Sequence, residues 1–144
     1  MENLSLVGKT ILITGATDGI GKQAAIKLAG MGARIFIHGR NPEKAEAVRL
    51  EIIQASDNPL IETVIADLQS LRQVHNLASE IKKRTNRLDV LINNAGVYMN
   101  KRRLSEDGYE MTFAVNHLAP FLLTNLLLDL LKKSAPSRVV TVSS

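Results

Sequence analysis

Short runs of consecutive apolar residues alternate along the chain with longer stretches in which apolar positions recur every three or four residues. The first pattern is that of strands buried on both faces, the second that of helices packed by one side. The spacing predicts strand one at residues 10–14, a helix over 19–31 that stops near Gly32, and strand two at 33–37. Asn41 as cap and Pro42 at the first helical position open a helix running to about residue 55. The turn Asp57-Asn58-Pro59 leads to strand three at 61–66. Ser70, with Gln73 three residues later, forms a capping box for a helix reaching residue 84. Strand four covers 89–92, a polar loop 100–106, a long helix 108–133, and strand five 138–142.

Strand and helix alternate throughout, without internal repeat, linker or low-complexity tract. That order predicts an α/β fold: a Rossmann-type doubly wound parallel sheet in three αβα layers, strand order 3-2-1-4-5, with right-handed crossovers. Ligands of such sheets bind beyond the carboxyl ends of the strands, where the order reverses between strands one and four. Residues 15–21, Gly39-Arg40, Asp67-Leu68, residues 93–96 and Ser143-Ser144 all fall at that edge.

One stretch there carries chemistry of its own. Thr14-Gly15-Ala16-Thr17-Asp18-Gly19-Ile20-Gly21 lies between an apolar strand and an alanine-rich helical pattern. Free N–H groups and partial positive charge at a helix start seat a phosphate. Glycines permit the turn and let a ligand approach the backbone. An ordinary strand-to-helix turn is the plain alternative, and the strand–turn–helix setting favours the phosphate loop.

Composition narrows the possibilities. The 144 residues suffice for one domain; 45% are hydrophobic and 22% charged, a globular balance. The net charge of +4 is mild, and with 3% aromatics there is no stacking platform for nucleic acid. The basic excess suits a phosphorylated ligand or a solvated surface. Without cysteine there is no disulfide, thiol nucleophile or cysteine metal site. His38, His75 and His117 lack metal-ligand spacing and read as surface or packing residues. The greasy stretch 121–131 is interrupted by Thr124, Asn125 and Asp129 and is too short to span a bilayer. No signal peptide is visible at Met1, so the expectation is a soluble cytoplasmic protein.

Taken together, Thr14-Gly-x-x-x-Gly19-Ile20-Gly21, Asp67-Leu68, Asn93-Asn94-Ala95-Gly96, Asn116 and Val142-Ser143-Ser144 resemble the short-chain dehydrogenase/reductase family. Its extended branch would want glycine at Asp18. Ser105-Glu-Asp-Gly-Tyr-Glu, Asn116-His-Leu and Phe121-Leu-Leu-Thr resemble the retinol-dehydrogenase-like branch. The resemblance spans nearly the whole chain and implies hydride transfer between a nicotinamide cofactor and a small-molecule carbonyl or alcohol. It also marks a departure. The family's Tyr-x-x-x-Lys pair is absent: four places after Tyr98 and Tyr109 stand Arg102 and Phe113. Residues 1–144 therefore read as a single, incomplete NAD(P)-binding domain, truncated after strand five. The alternative to an oxidoreductase is a non-catalytic dinucleotide-binding module or inactive remnant.

The resemblance assigns the cofactor to Gly15, Thr17, Asp18, Gly19, Ile20 and Gly21 at the pyrophosphate. Asp67 and Leu68 fall at the adenine, and Asn93, Ala95 and Gly96 line the adenosine side. Asn94 reads better as a pin between neighbouring strands. After strand two an NAD enzyme places a carboxylate for the ribose hydroxyls. Here the chain reads Ile37-His38-Gly39-Arg40-Asn41, so Arg40 facing a 2′-phosphate makes NADP the expected cofactor, with NAD the alternative. Asn116 sits four residues before Pro120, which has no N–H for its carbonyl, so a kink is expected there. The resemblance makes Asn116 a proton-relay residue and Ser144 the serine that meets the substrate. It also implies a homo-oligomer through the 108–133 helix.

Overall fold

The computed structural model describes residues 4–143. Five strands, β1 (Thr10–Ile13), β2 (Arg34–Gly39), β3 (Ile61–Ile65), β4 (Val90–Asn93) and β5 (Arg138–Thr141), form one sheet. Its order is β3-β2-β1-β4-β5, and every pairing is parallel. This is the doubly wound order that the alternation of patterns predicts. β1 lies between β2 and β4, with Leu12 opposite both Phe36 and Leu91.

Alternate residues of β1 to β4 feed two cores, one on each face. Ile11, Ile13, Ile35, Ile37 and Ile61 pack beneath α1 (Gly19–Gly30) and α2 (Pro42–Ser56). Leu12, Phe36, Val64 and Leu91 pack beneath α3 (Leu71–Arg84) and the helices that follow β4. In α3 the buried positions Val74, Leu77, Ala78 and Ile81 make one apolar stripe. Two predicted caps are present: Asn41 accepts from Lys44 N–H at 3.1 Å and Ser70 from Gln73 N–H at 3.3 Å. Asp89 ties β4 to β1, accepting from the Thr10 amide at 2.8 Å and from Arg87 at 2.7 and 2.8 Å. Burial raises its carboxyl pKa, but these bonds and the fields of Arg87 and Lys9 outweigh burial and hold it below the usual value.

The long helix predicted over 108–133 is instead a series of segments. Gly108 has φ of +85° and closes a turn, its N–H bonding the Ser105 carbonyl. Helix begins one turn later, where Glu110 caps α4 (Met111–Phe113) through the Thr112 and Phe113 amides. Residues Ala114–Leu118 form a π-helical turn, in which Ala119 N–H reaches back to the Ala114 carbonyl. Pro120, lying four residues beyond Asn116, offers it no N–H, so the regular ladder cannot pass through this point. α5 (Ala119–Leu126) and α6 (Leu128–Lys133) follow, separated by Leu127. Among the described residues no helix is long and apolar enough to cross a membrane.

Candidate functional site

The crossover from β1 to α1 is held by contacts that tolerate no added atom. Gly15 has φ of +61°, and a Cβ there would lie 2.8 Å from the Ala95 Cα. At Gly21 a Cβ would lie 2.3 Å from the Gly15 carbonyl oxygen and 2.5 Å from Asn94 Nδ2. Both glycines are thus fixed by close approach as well as by the turn. Thr14 Oγ1 accepts from the amides of Asn94 and Ala95, each at 3.0 Å. Asn94 Nδ2 donates back to the carbonyls of Thr14 and Gly15 at 3.2 and 3.0 Å. Asn94 is therefore the pin between the tips of β1 and β4.

His38 completes the frame from the other side. The residue is 4% exposed. Nδ1 accepts from the Gly15 amide at 3.0 Å, and Nε2 lies 2.8 Å from the Ala66 carbonyl. The two contacts together define the neutral tautomer with the proton on Nε2. Burial pushes its pKa below the ordinary 6.5, while the bond to Ala66 and the field of Asp67 act the other way. The residue reads as packing in the sequence; in the fold it joins β2 to the glycine loop and to the end of β3. The signal that could have found it is a polar side chain inside a strand buried on both faces.

The first turn of α1 differs from those of α2 and α3. Asp18 occupies the N-cap position, but its side chain makes no cap bond, unlike Asn41 of α2 and Ser70 of α3. Its carboxylate is drawn instead to Lys44 Nζ at 2.8 Å. The amides of Gly19, Ile20 and Gly21 are left without a side-chain cap at the positive end of the helix. Gly19 and Ile20 are exposed, and a Cβ on Gly19 would meet nothing within 4 Å.

A cleft of about 340 Å³ opens above these amides. It brings together Gly15, Thr17, Asp18, Gly19, Ile20, Arg40, Asp67, Leu68, Ala95 and Gly96 of the expected cofactor residues. Arg40 is exposed and makes no hydrogen bond or ion pair among the described residues. Asp67 Oδ1 accepts from the Gln69 amide at 3.2 Å, and Leu68 is buried.

Three expected residues stand elsewhere. Gly21 is buried behind the loop and shapes it without lining the cleft. Asn93 turns its side chain away from the cleft toward α5: Nδ2 donates to Thr124 Oγ1 at 3.1 Å, and Oδ1 is buried without a partner. The alternation of side chains along β4 explains this, since Asn93 and Asn94 must point to opposite faces. Asn116 lines a separate cavity with Asn93, His117 and Thr124. Its carboxamide clasps the Val97 backbone, accepting from the amide at 2.8 Å and donating to the carbonyl at 2.9 Å. Ser144 lies outside the described residues.

Sheet order and crevice together define a doubly wound α/β protein with its cleft at the switch point. The particular family is defined by comparison: the short chain dehydrogenase family model matches residues 9–144, and the chain belongs to that family of oxidoreductases. It is 47% identical to retinol dehydrogenase 13 of Homo sapiens over 140 residues, covering 97% of this chain and 42% of that protein. With retinol dehydrogenase 14 of Mus musculus the identity is 49%, covering 95% and 44%. The chain thus spans less than half the length of these curated relatives. Among solved structures, an Escherichia coli short chain dehydrogenase complexed with NADPH superposes with a TM-score of 0.85 at 34% identity, covering 100% of this chain and 62% of that one. The Pseudomonas aeruginosa RhlG/NADP complex superposes with a TM-score of 0.84 at 31% identity, covering 100% and 58%.

Proposed function

We propose that these residues form the cofactor-binding part of an NADP-dependent oxidoreductase acting on a carbonyl or alcohol. The observation that carries this reading is the uncapped first turn of α1, opening into a cleft whose far end holds an unpaired arginine. An anion beside those amides is favoured by roughly 0.3–1 kcal/mol, more where it is partly buried. The fit is supported by the glycine cradle, since a side chain at Gly15 or Gly21 would collide with the loop's own frame. In the proposed complex the amides of 19–21 hold the pyrophosphate, Arg40 meets the 2′-phosphate, and Asp67 with Leu68 borders the adenine. Ala95 and Gly96 border the adenosine. When bound, NADP supplies the hydride donor or acceptor. The NADP(H) complexes of two solved relatives support a nicotinamide cofactor, and the choice of NADP rests on Arg40.

Asn116 is proposed as a proton-relay residue and Ser144 as the serine facing substrate. The π-helical turn at Asn116 supports the first role, because such turns gather at functional sites. Self-association through the helices after β4 is supported by a stack of exposed rings, with His117 between Phe113 at 5.1 Å and Phe121 at 6.4 Å. The second reading is a binding module without turnover, for which the cleft alone would suffice. Titration with NADPH followed by a carbonyl turnover assay separates the two. Binding with turnover supports the enzyme, binding alone supports the module, and a folded chain that binds neither NADPH nor NADH refutes both.

A further inference from the structure

The glycine loop is clipped in place by a titratable side chain. His38 is the one residue that reaches from β2 both to the first glycine of the loop and to the end of β3. Its own carbonyl adds a third bond, accepting from the Ala16 amide at 2.9 Å. The imidazole spans the floor of the cleft, and its Nδ1 lone pair is the acceptor that the Gly15 amide uses. A proton on Nδ1 would set one N–H against another and remove that acceptor, while the Nε2 bond to Ala66 would remain.

We propose that His38 is a positioning residue that holds the phosphate loop in its binding shape only as the neutral imidazole, so that acidification loosens the loop and weakens nucleotide binding. This rests on the reading of the cleft as a dinucleotide site. The charged groups around the ring come from three elements. Asp67 follows Ala66 at the end of β3, and its field favours protonation. Asp18 lies on the loop and is already paired with Lys44 from α2. Arg40 lies two residues along β2's own chain and lines the same cleft. No carboxylate bonds the ring, and burial opposes the charged form. The sign follows. The unfolded imidazole takes up its proton around 6.5, whereas the folded one resists until lower pH. The clip's contribution is therefore full above about 6.5 and is lost as pH falls through the lower value of the folded imidazole.

The test uses the 144-residue chain. Without nucleotide, exchange of the Gly15 amide is measured relative to its intrinsic rate at about pH 7.5 and at an acidic pH where the ring NMR shifts of His38 show it protonated in the folded chain. The expected result is a rise on acidification of about two- to tenfold, the span of one lost hydrogen bond. A flat ratio overturns the proposal. NADPH and NADH are then titrated at the same two pH values. Both should weaken by a similar factor. Weakening confined to NADPH would reflect its 2′-phosphate, and tighter binding in acid would mean that an imidazolium attracts the nucleotide; either contradicts the clip. His38→Gln can donate to Ala66 but cannot also accept from Gly15, so it should bind weakly at both pH values with a flattened pH profile. If neither nucleotide binds the unchanged chain, the cofactor reading fails, and the Gly15 exchange still decides whether the clip exists.

Discussion

The two sides of the sheet are joined by the same parallel ladder yet are covered very differently. On the β3 side, Ile61 and Val64 are buried, and the chain beyond the strand buries Ala66 and Leu68. On the β5 side, all four strand residues are exposed, Val139 by 45% and Val140 by 42%, although β5 keeps full register with β4 from Arg138 to Thr141. Hydrogen-bond pairing and burial are therefore separate achievements. The crevice depends on β1 to β4, where helices cover both faces. β5 lends Val139 and Thr141 to the separate cavity beside Asn116 and contributes little to the core. The proposed nucleotide cleft lies on the covered part of the sheet.

The sharpest way to break this contrast is Phe36→Ala. Phe36 is fully buried, and the guanidinium groups of Arg34 and Arg84 lie 4.8 and 5.3 Å from its ring centre. Losing it should cost about 3–5 kcal/mol, read as a lowered urea midpoint. A cost below about 1 kcal/mol would mean that the covered side does not carry the stability. Next is Gly21→Ala, where the new Cβ would collide with the Gly15 carbonyl and Asn94. It should cost about 1–3 kcal/mol and weaken nucleotide binding. Arg40→Ala should lower NADPH affinity by about 1.5–3 kcal/mol and leave NADH unchanged, as measured by calorimetry. Asn41→Ala removes the cap on Lys44 N–H and should cost about 1 kcal/mol without altering nucleotide preference. Smallest is Val139→Lys, which should change stability by no more than about 0.5 kcal/mol. It should also reduce light scattering from self-association at the open edge, because a lysine blunts strand pairing.

Much of this was legible in the chain. Runs such as Ile11-Leu12-Ile13 and Ile35-Phe36-Ile37 announce strands buried on both faces, and their alternation with helices leaves few topologies. Asn41 and Ser70 announce caps because a side-chain oxygen beside a helix start has one natural partner. The cleft's polar floor was harder to read. Asn93 and Asn94 are chemically identical, and only the strand's alternation decides which of them faces the loop. His38 looks like an isolated polar residue until β1 and β3 bring the Gly15 amide and the Ala66 carbonyl to its two nitrogens. Pro120 announced an interruption in the long helix, but not that a π-helical turn would absorb it or that Asn116 would turn its carboxamide to Val97.

The most direct test is calorimetric titration of the unchanged 144-residue chain with NADPH and with NADH at neutral pH. One saturable site that prefers NADPH by about tenfold or more is the predicted result, as a single charged hydrogen bond would give. A chain shown to be folded by its cooperative unfolding, yet binding neither nucleotide, would contradict the assignment of the α1 amides and Arg40 to a dinucleotide.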